Sequence, residues 1–260
     1  KGLMKKLILY FSGTGNSLMV AKTIAKHLGD TDLLHFSKVN KHSLKRPVDV
    51  LGLVFPVYWN GLPLLVLNTL SVLKKLNPQY IFSVATHGGE PAQVLSQLQV
   101  ELQKNGFELN AGICLEMPSN YILDYDAPSD SSIQSNLANA ERVLKQFSEK
   151  IKSNQEYRPQ ADFPLYFGTT SDYQRFIATV HESDSNFWVD ENCTECGLCE
   201  EICPVQNIRL EKGRPTWNHQ CEQCLACINW CPEGSIQYKN QTAGRGRYAN
   251  PRVSVDEMKI

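Results

Sequence analysis

The sequence predicts an α/β chain in two unequal parts. The first is a doubly wound, five-stranded parallel sheet of strand order 2-1-3-4-5, and the second is a smaller α+β module organised by cysteine. Three observations predict this. Residues 1–157 alternate short apolar runs with helix-period segments. A turn rich in glycine and small polar residues, FSGTGNS (11–17), ends the first apolar run and opens the first helical one. Beyond residue 187 the alternation stops, and one cysteine pattern is written twice.

The apolar runs are LILYF (7–11), DLLHF (32–36), VLGLVF (50–55), YIFSVA (80–85) and AGICLEM (111–117). Several show little polar alternation, as strands covered on both faces do. Helical patterns fill 17–28, 63–76, 91–105 and 132–153. The last of these puts Ile133, Leu137, Ala140, Val143, Leu144 and Phe147 on one face. A βαβα series makes parallel strands, and a ligand then belongs at their carboxyl ends, near the switch point between strands 1 and 3. Residues 158–186 lose the rhythm and read as a connector with one short helix near 172–180. The cysteine module spans 187–240, and a tail runs from 241 to 260.

Eight of the nine cysteines fall in the two repeats, CTECGLCEEICP at 193 and CEQCLACINWCP at 221, offset by 28 residues. All four cysteines and the proline coincide, which chance similarity does not explain. Each repeat is C-x2-C-x2-C-x3-C-P, the spacing of bacterial proteins with two 4Fe–4S clusters, in which the fourth cysteine of each run serves the other cluster. Tight steps let three thiolates wrap three corners of one cubane. The remote cysteine, redirected by its proline, supplies the fourth corner of the other. One cluster is then expected on Cys193, Cys196, Cys199 and Cys231, and the other on Cys221, Cys224, Cys227 and Cys203. Structural zinc sites instead pair two close cysteines with two distant ligands. A module of about 50 residues cannot bury a large apolar core, so the clusters must also organise its fold. Cys114, in the fifth strand, reads as a small buried apolar residue.

The turn at 11–17 offers backbone N–H groups at a helix start, close approach at Gly13 and Gly15, hydroxyls from Ser12, Thr14 and Ser17, and the amide of Asn16. It has no lysine or arginine, so it is not a triphosphate loop, and it suits one terminal monophosphate. LILYFSGTGNSLMVA resembles the phosphate loop of flavodoxins, which hold the phosphate of FMN with neutral donors. Ser17 stands where many flavodoxins have threonine. Two further loops fit that resemblance: FPVYWNGLP (55–63), contributing Pro56, Val57, Tyr58, Trp59, Asn60 and Gly61, and ATHGGEP (85–91), contributing Thr86, His87, Gly88 and Gly89. In flavodoxins these loops flank the isoalloxazine ring. Tyr58 and Trp59 are the candidates to stack on it. The tyrosine usual in the later loop is replaced here by the Thr86–Gly89 stretch, and Asn120 and Tyr121, in MPSNY, are additional candidates. Asn60-Gly61 is expected to let the backbone beside the flavin reorient on reduction, against the simpler expectation of an ordinary Asn-Gly turn.

The whole chain resembles the flavodoxin–ferredoxin fusion proteins (ferrodoxins) of anaerobic microbes, down to a closing segment GRYANPRVS. The resemblance implies FMN and two 4Fe–4S clusters in one electron-transfer chain, with redox proteins as donor and acceptor. The alternative is an FMN-dependent reductase of a small acceptor, such as a quinone or a flavin, fed by the clusters. A redox sensor would need a signalling segment, and neither 158–187 nor 240–260 reads as one. GRGRYA (244–249) fits a dinucleotide fingerprint, but too few residues follow it to build a βαβ unit.

No basic tract suggests nucleic acid, and no apolar run reaches membrane-span length. The KGLMKK start is too short for a signal peptide, so a cytoplasmic protein is expected. The net charge of −1 hides an asymmetry: residues 1–160 carry 17 Lys and Arg against 13 Asp and Glu, and residues 161–260 carry 9 against 14. Arg245, Arg247 and Arg252 of the tail are candidates to pair with carboxylates and pin the two parts together, against the simpler expectation of a solvated tail.

Overall fold

The computed structural model describes residues 4–39 and 47–260, so Lys1–Leu3 of the KGLMKK start lie outside the described residues. Strands β1 (Lys6–Tyr10), β2 (Thr31–His35), β3 (Val50–Pro56), β4 (Tyr80–His87) and β5 (Ala111–Glu116) form one sheet of order β2-β1-β3-β4-β5. All its pairings are parallel, with Ile8 opposite both Leu33 and Gly52. This is the doubly wound order expected from the sequence.

Apolar runs without alternation are explained by two covered faces. Helices α1 (Asn16–Leu28) and α4 (Asp130–Lys152) cover Ile8, Val50, Val54, Phe82 and Val84. Helices α2 (Leu64–Thr69) and α3 (Val94–Lys104) cover Leu7, Leu9, Leu51, Leu53 and Phe55 on the other side. Each fully buried side chain of this size contributes roughly 1.5–3 kcal/mol. The helix expected over 63–76 is shorter than its pattern: it tightens into a 3-10 turn at Leu70–Lys75, ahead of Asn77-Pro78. Cys114 is half-buried rather than buried.

The connector is not a free tether. It carries α5 (Ser171–Thr179), whose Tyr173 hydroxyl donates to the carbonyl of Leu62 at 2.6 Å. Phe163 lies against Gly112 of β5, and Ser96 donates to the carbonyl of Pro164 at 2.6 Å.

The cysteine module has strands β6 (Phe187–Val189), β7 (Ile208–Glu211), β8 (Arg214–Trp217) and β9 (Ile236–Tyr238), with short helices α6 (Leu198–Glu201) and α7 (Ala226–Trp230). β6 pairs with β9, and β7 with β8, both antiparallel. The duplication seen in sequence recurs in the backbone at the same offset. Glu195 and Gln223, Gly197 and Leu225, and Gln206 and Gly234 all hold positive φ. A non-glycine residue rarely takes that conformation, so its recurrence marks a loop shape that the fold imposes.

The segment after residue 240 is a packed strap, not a solvated tail. Tyr248, Asn250, Val253 and Met258 are all buried. Val253 and Met258, with Ile202 and Ala226 of the cysteine module, complete the core that α1 and α4 begin. The sequence reading missed this because the strap's anchors are mostly polar. Arg252 pairs with Glu141, whereas Arg245 and Arg247 donate to the backbone carbonyls of Ile122 (2.7 Å) and Ile236 (3.1 Å). Among the described residues, no helix is long and apolar enough to cross a membrane.

Candidate functional site

A cavity of about 550 Å³ opens at the carboxyl ends of β1, β3 and β4. The residues selected from the three loops line it, together with Asn120 and Tyr121, except for Gly15 and Gly61. Those two glycines serve the back of the site. Gly15 holds φ 94° against the strap, where a Cβ would lie 3.0 Å from the Cβ of Asn250. At Gly61 a Cβ would lie 2.3 Å from the Tyr173 ring. Gly61 also exchanges backbone hydrogen bonds with Tyr58, and the positive φ values of that turn sit on Trp59 and Asn60. The close approach of Tyr173 by itself requires a glycine at this position.

The loop at 11–17 presents neutral donors. Ser12 Oγ accepts the N–H of Gly15 at 3.1 Å, and Thr14 Oγ1 accepts the side-chain N–H of Asn120 at 3.0 Å. With these oxygens engaged by the protein, the hydroxyl hydrogens are left to donate into the cavity. Ser17 and Thr86 share a hydrogen bond of 2.8 Å that ties the first loop to the third. The first-turn amides of α1 have no intrahelical acceptor, so they add donors and a favourable dipole. Asn16 departs from expectation. Its Nδ2 donates to the carbonyl of Pro118 at 2.9 Å, and its Oδ1 accepts Tyr248 Oη at 2.7 Å and Asn250 Nδ2 at 2.9 Å. Its amide braces the loop instead of reaching for a ligand.

Of the two stacking candidates, Trp59 offers the flat face. One side of its ring is stacked on Phe176 of the connector at 6.0 Å, and the residue is half-exposed. Tyr58 stands edge-on to Phe11 and Phe176. Its hydroxyl is buried without a hydrogen-bond partner among the described residues. Burial, and then the neighbouring Cys224, Glu222 and Cys221, hold its pKa well above the ordinary value. His87 Nδ1 contacts the carbonyl of Gly89 within its own loop.

The fourth wall comes from the second cysteine run, through Gln223, Cys224 and Leu225. A Cβ on Gly13 would lie 2.0 Å from the carbonyl oxygen of Cys224, so the loop at 11–17 rests directly on that run. Trp230 Nε1 donates to the carbonyl of Gly13 at 3.1 Å. The N–H of Leu65 donates to Glu222 at 3.1 Å, and burial pushes that carboxyl up to about 7. The sequence carried no sign of this wall, because the two loops lie over 200 residues apart.

The cysteines gather in two sets. Cys193, Cys196, Cys199 and Cys231 line one small cavity. Cys203 lies with the second run, close enough to add to burial in raising the pKa of Cys221, Cys224 and Cys227. The pKa of Cys224 is raised by burial and then by Cys203 and Cys221. Among the described residues, no three His, Cys, Asp or Glu side chains converge as they would on a single metal ion. A cubane spreads its four thiolates over four iron corners instead. Burial raises the pKa of Cys199, Cys203, Cys221, Cys224 and Cys227, and the iron of a cluster would supply the positive charge that a thiolate there needs. The orphaned Tyr58 hydroxyl beside Cys224 is the kind of donor that a cluster sulfur accepts. The residues fit the group.

Comparison with known proteins bears on the cysteine module. Residues 192–242 match the family described as the 4Fe-4S dicluster domain. No curated protein matches the sequence. Solved structures similar to the chain include an archaeal flavodoxin, 15% identical, covering 57% of this chain and 99% of its own, with a TM-score of 0.37. The two-electron reduced flavodoxin of Megasphaera elsdenii is 16% identical, covering 56% and 99%, with a TM-score of 0.39. An NAD(P)H:quinone oxidoreductase from Methanothermobacter marburgensis is 13% identical, covering 56% and 98%, with a TM-score of 0.36. The strand order itself is the flavodoxin-like one. The chain thus joins a flavodoxin-like sheet to a 4Fe-4S dicluster domain, the composition of a flavodoxin–ferredoxin fusion.

Proposed function

We propose that this protein passes electrons between two 4Fe–4S clusters and FMN held in one chain. The observation that carries the reading is the shared wall: the cavity of the flavin loops is closed by Gln223, Cys224 and Leu225 of a cysteine run. FMN, when bound, exchanges two electrons one at a time, which suits single-electron clusters. Ser12, Thr14 and the first-turn amides of α1 would hold its phosphate, and Trp59 would face its ring. Cys221, Cys224, Cys227 and Cys203 would hold the cluster nearer the flavin. Cys193, Cys196, Cys199 and Cys231 would hold the farther one, whose Cys196 is exposed. That exposed end is where a redox partner protein would dock, and cysteines committed to clusters rather than disulfides suit a cytoplasmic protein.

A second reading is favoured by one feature. The cavity also reaches Asp124 and the exposed Tyr125, beyond the loops that FMN needs. A small acceptor could be reduced there by an FMN-dependent reductase.

Anaerobic reconstitution tests the main reading. Iron, sulfide and acid-released flavin are counted, with the flavin run against standards. The expected result is two 4Fe–4S clusters and one FMN per chain. Recovery of FAD, of no flavin, or of one cluster's iron contradicts it. Turnover of a small quinone without any partner protein would instead support the second reading.

A further inference from the structure

We infer that Tyr248 and Asn250 of the C-terminal strap are positioning residues of the phosphate site, and that they set the preference for a phosphorylated flavin. This rests on the flavin reading above. The two residues lie more than 230 positions from the loop and touch it only from behind. Tyr248 Oη and Asn250 Nδ2 both donate to Asn16 Oδ1, at 2.7 and 2.9 Å. The backbone N–H of Asn250 donates to the carbonyl of Thr14 at 2.8 Å. Its Cβ, with that of Val253, fills the space facing Gly15. Three consecutive loop residues are thus held by one segment of the strap.

The consequence follows from what these bonds orient. Asn16 opens α1, so fixing its side chain fixes the direction of the first-turn amides. Holding the carbonyl of Thr14 outward turns the peptide that follows it, and helps shape the nest that a phosphate enters. The strap's side of these bonds is buried, with Tyr248 2% and Asn250 1% exposed, so water replaces a lost partner there poorly. The strap is itself clamped to the cysteine module, because Asn229 Oδ1 accepts the N–H of Tyr248 at 2.9 Å. Neither residue lines the cavity, so neither is expected to contact the flavin ring.

The test uses the full, cluster-loaded chain after removal of flavin. FMN and riboflavin are titrated into the wild type, Tyr248→Phe and Asn250→Ala, with flavin fluorescence as the readout and cluster absorbance as the check on folding. Tyr248→Phe deletes a single oxygen, so it keeps the packing. The expected result is FMN affinity lower by about three- to tenfold in Tyr248→Phe, and by more in Asn250→Ala, with riboflavin affinity unchanged. Unchanged FMN affinity in both variants overturns the inference. So does an equal loss for both flavins, which marks a merely structural strap. A wild type that binds neither flavin overturns the flavin reading itself, before any variant is compared.

Discussion

Gly13 lies on the carbonyl of Cys224 so closely that no other side chain fits between them: a Cβ at residue 13 would come within 2.0 Å of that oxygen. One residue belongs to the loop proposed to hold the phosphate and the other to a cysteine run. The two candidate sites therefore share backbone-to-backbone contact, and the loop cannot relax away because Trp230 holds the Gly13 carbonyl from the same side.

Gly13→Ala is expected to disturb both sites at once. The added methyl must push the loop off the cysteine run, at a cost of about 1–3 kcal/mol. FMN content of the purified protein should fall, and the spectrum of the cluster nearer the flavin should change. Loss of flavin with both cluster signals intact would show that the contact transmits nothing.

Cys203→Ala is expected to disrupt the cluster built on Cys221, Cys224 and Cys227, although Cys203 is closer in sequence to the other set. The nearness of Cys203 to Cys221, Cys224 and Cys227, and the place of Cys231 in the cavity of the first run, motivate the crossing. Electron paramagnetic resonance of the reduced protein separates the two clusters. Selective loss of the one on Cys193, Cys196 and Cys199 would reverse the assignment.

His35 should make the fold sensitive to mild acid. It is 3% exposed, its Nδ1 accepts the N–H of Ser37 at 3.1 Å, and its Nε2 has no partner among the described residues. Burial, with a smaller contribution from Lys38, lowers its pKa from the ordinary 6.5 to about 3. Folding thus excludes a proton that the unfolded chain binds below pH 6.5. His35 costs nothing above that pH, and between 6.5 and 3 it removes up to about 1.4 kcal/mol of stability per unit as pH falls. Denaturant midpoints of wild type and His35→Asn at pH 7.5 and 5 check it. The wild type should lose more than the variant, and equal losses would acquit the histidine.

Much of this was legible in the residues, for physical reasons. Unalternating strands such as VLGLVF announce two covered faces, and the repeated x2-x2-x3 cysteine spacing demands a curled loop whatever surrounds it. The loops of the cavity were legible because each follows a strand directly, so the sheet brings them together. Contacts across the two modules were not. Nothing local in Tyr248 or Asn250 says that it will meet Asn16, and Phe176 became a cavity residue only when the connector folded back. Trp59 and Tyr58 are neighbours with equal aromatic promise, yet a turn with positive φ at Trp59 sends one outward and leaves the other edge-on in the core.

The central claim is that electrons pass between clusters and flavin within one molecule. Tethering alone would raise their effective concentration to about the millimolar range, and the shared wall goes further by fixing the approach. The direct measurement is rapid anaerobic mixing with a reductant that enters through the clusters, followed by flavin absorbance at several protein concentrations. The account predicts a flavin reduction rate that does not change with protein concentration. A rate that rises in proportion to concentration would mean transfer between molecules, and would contradict it.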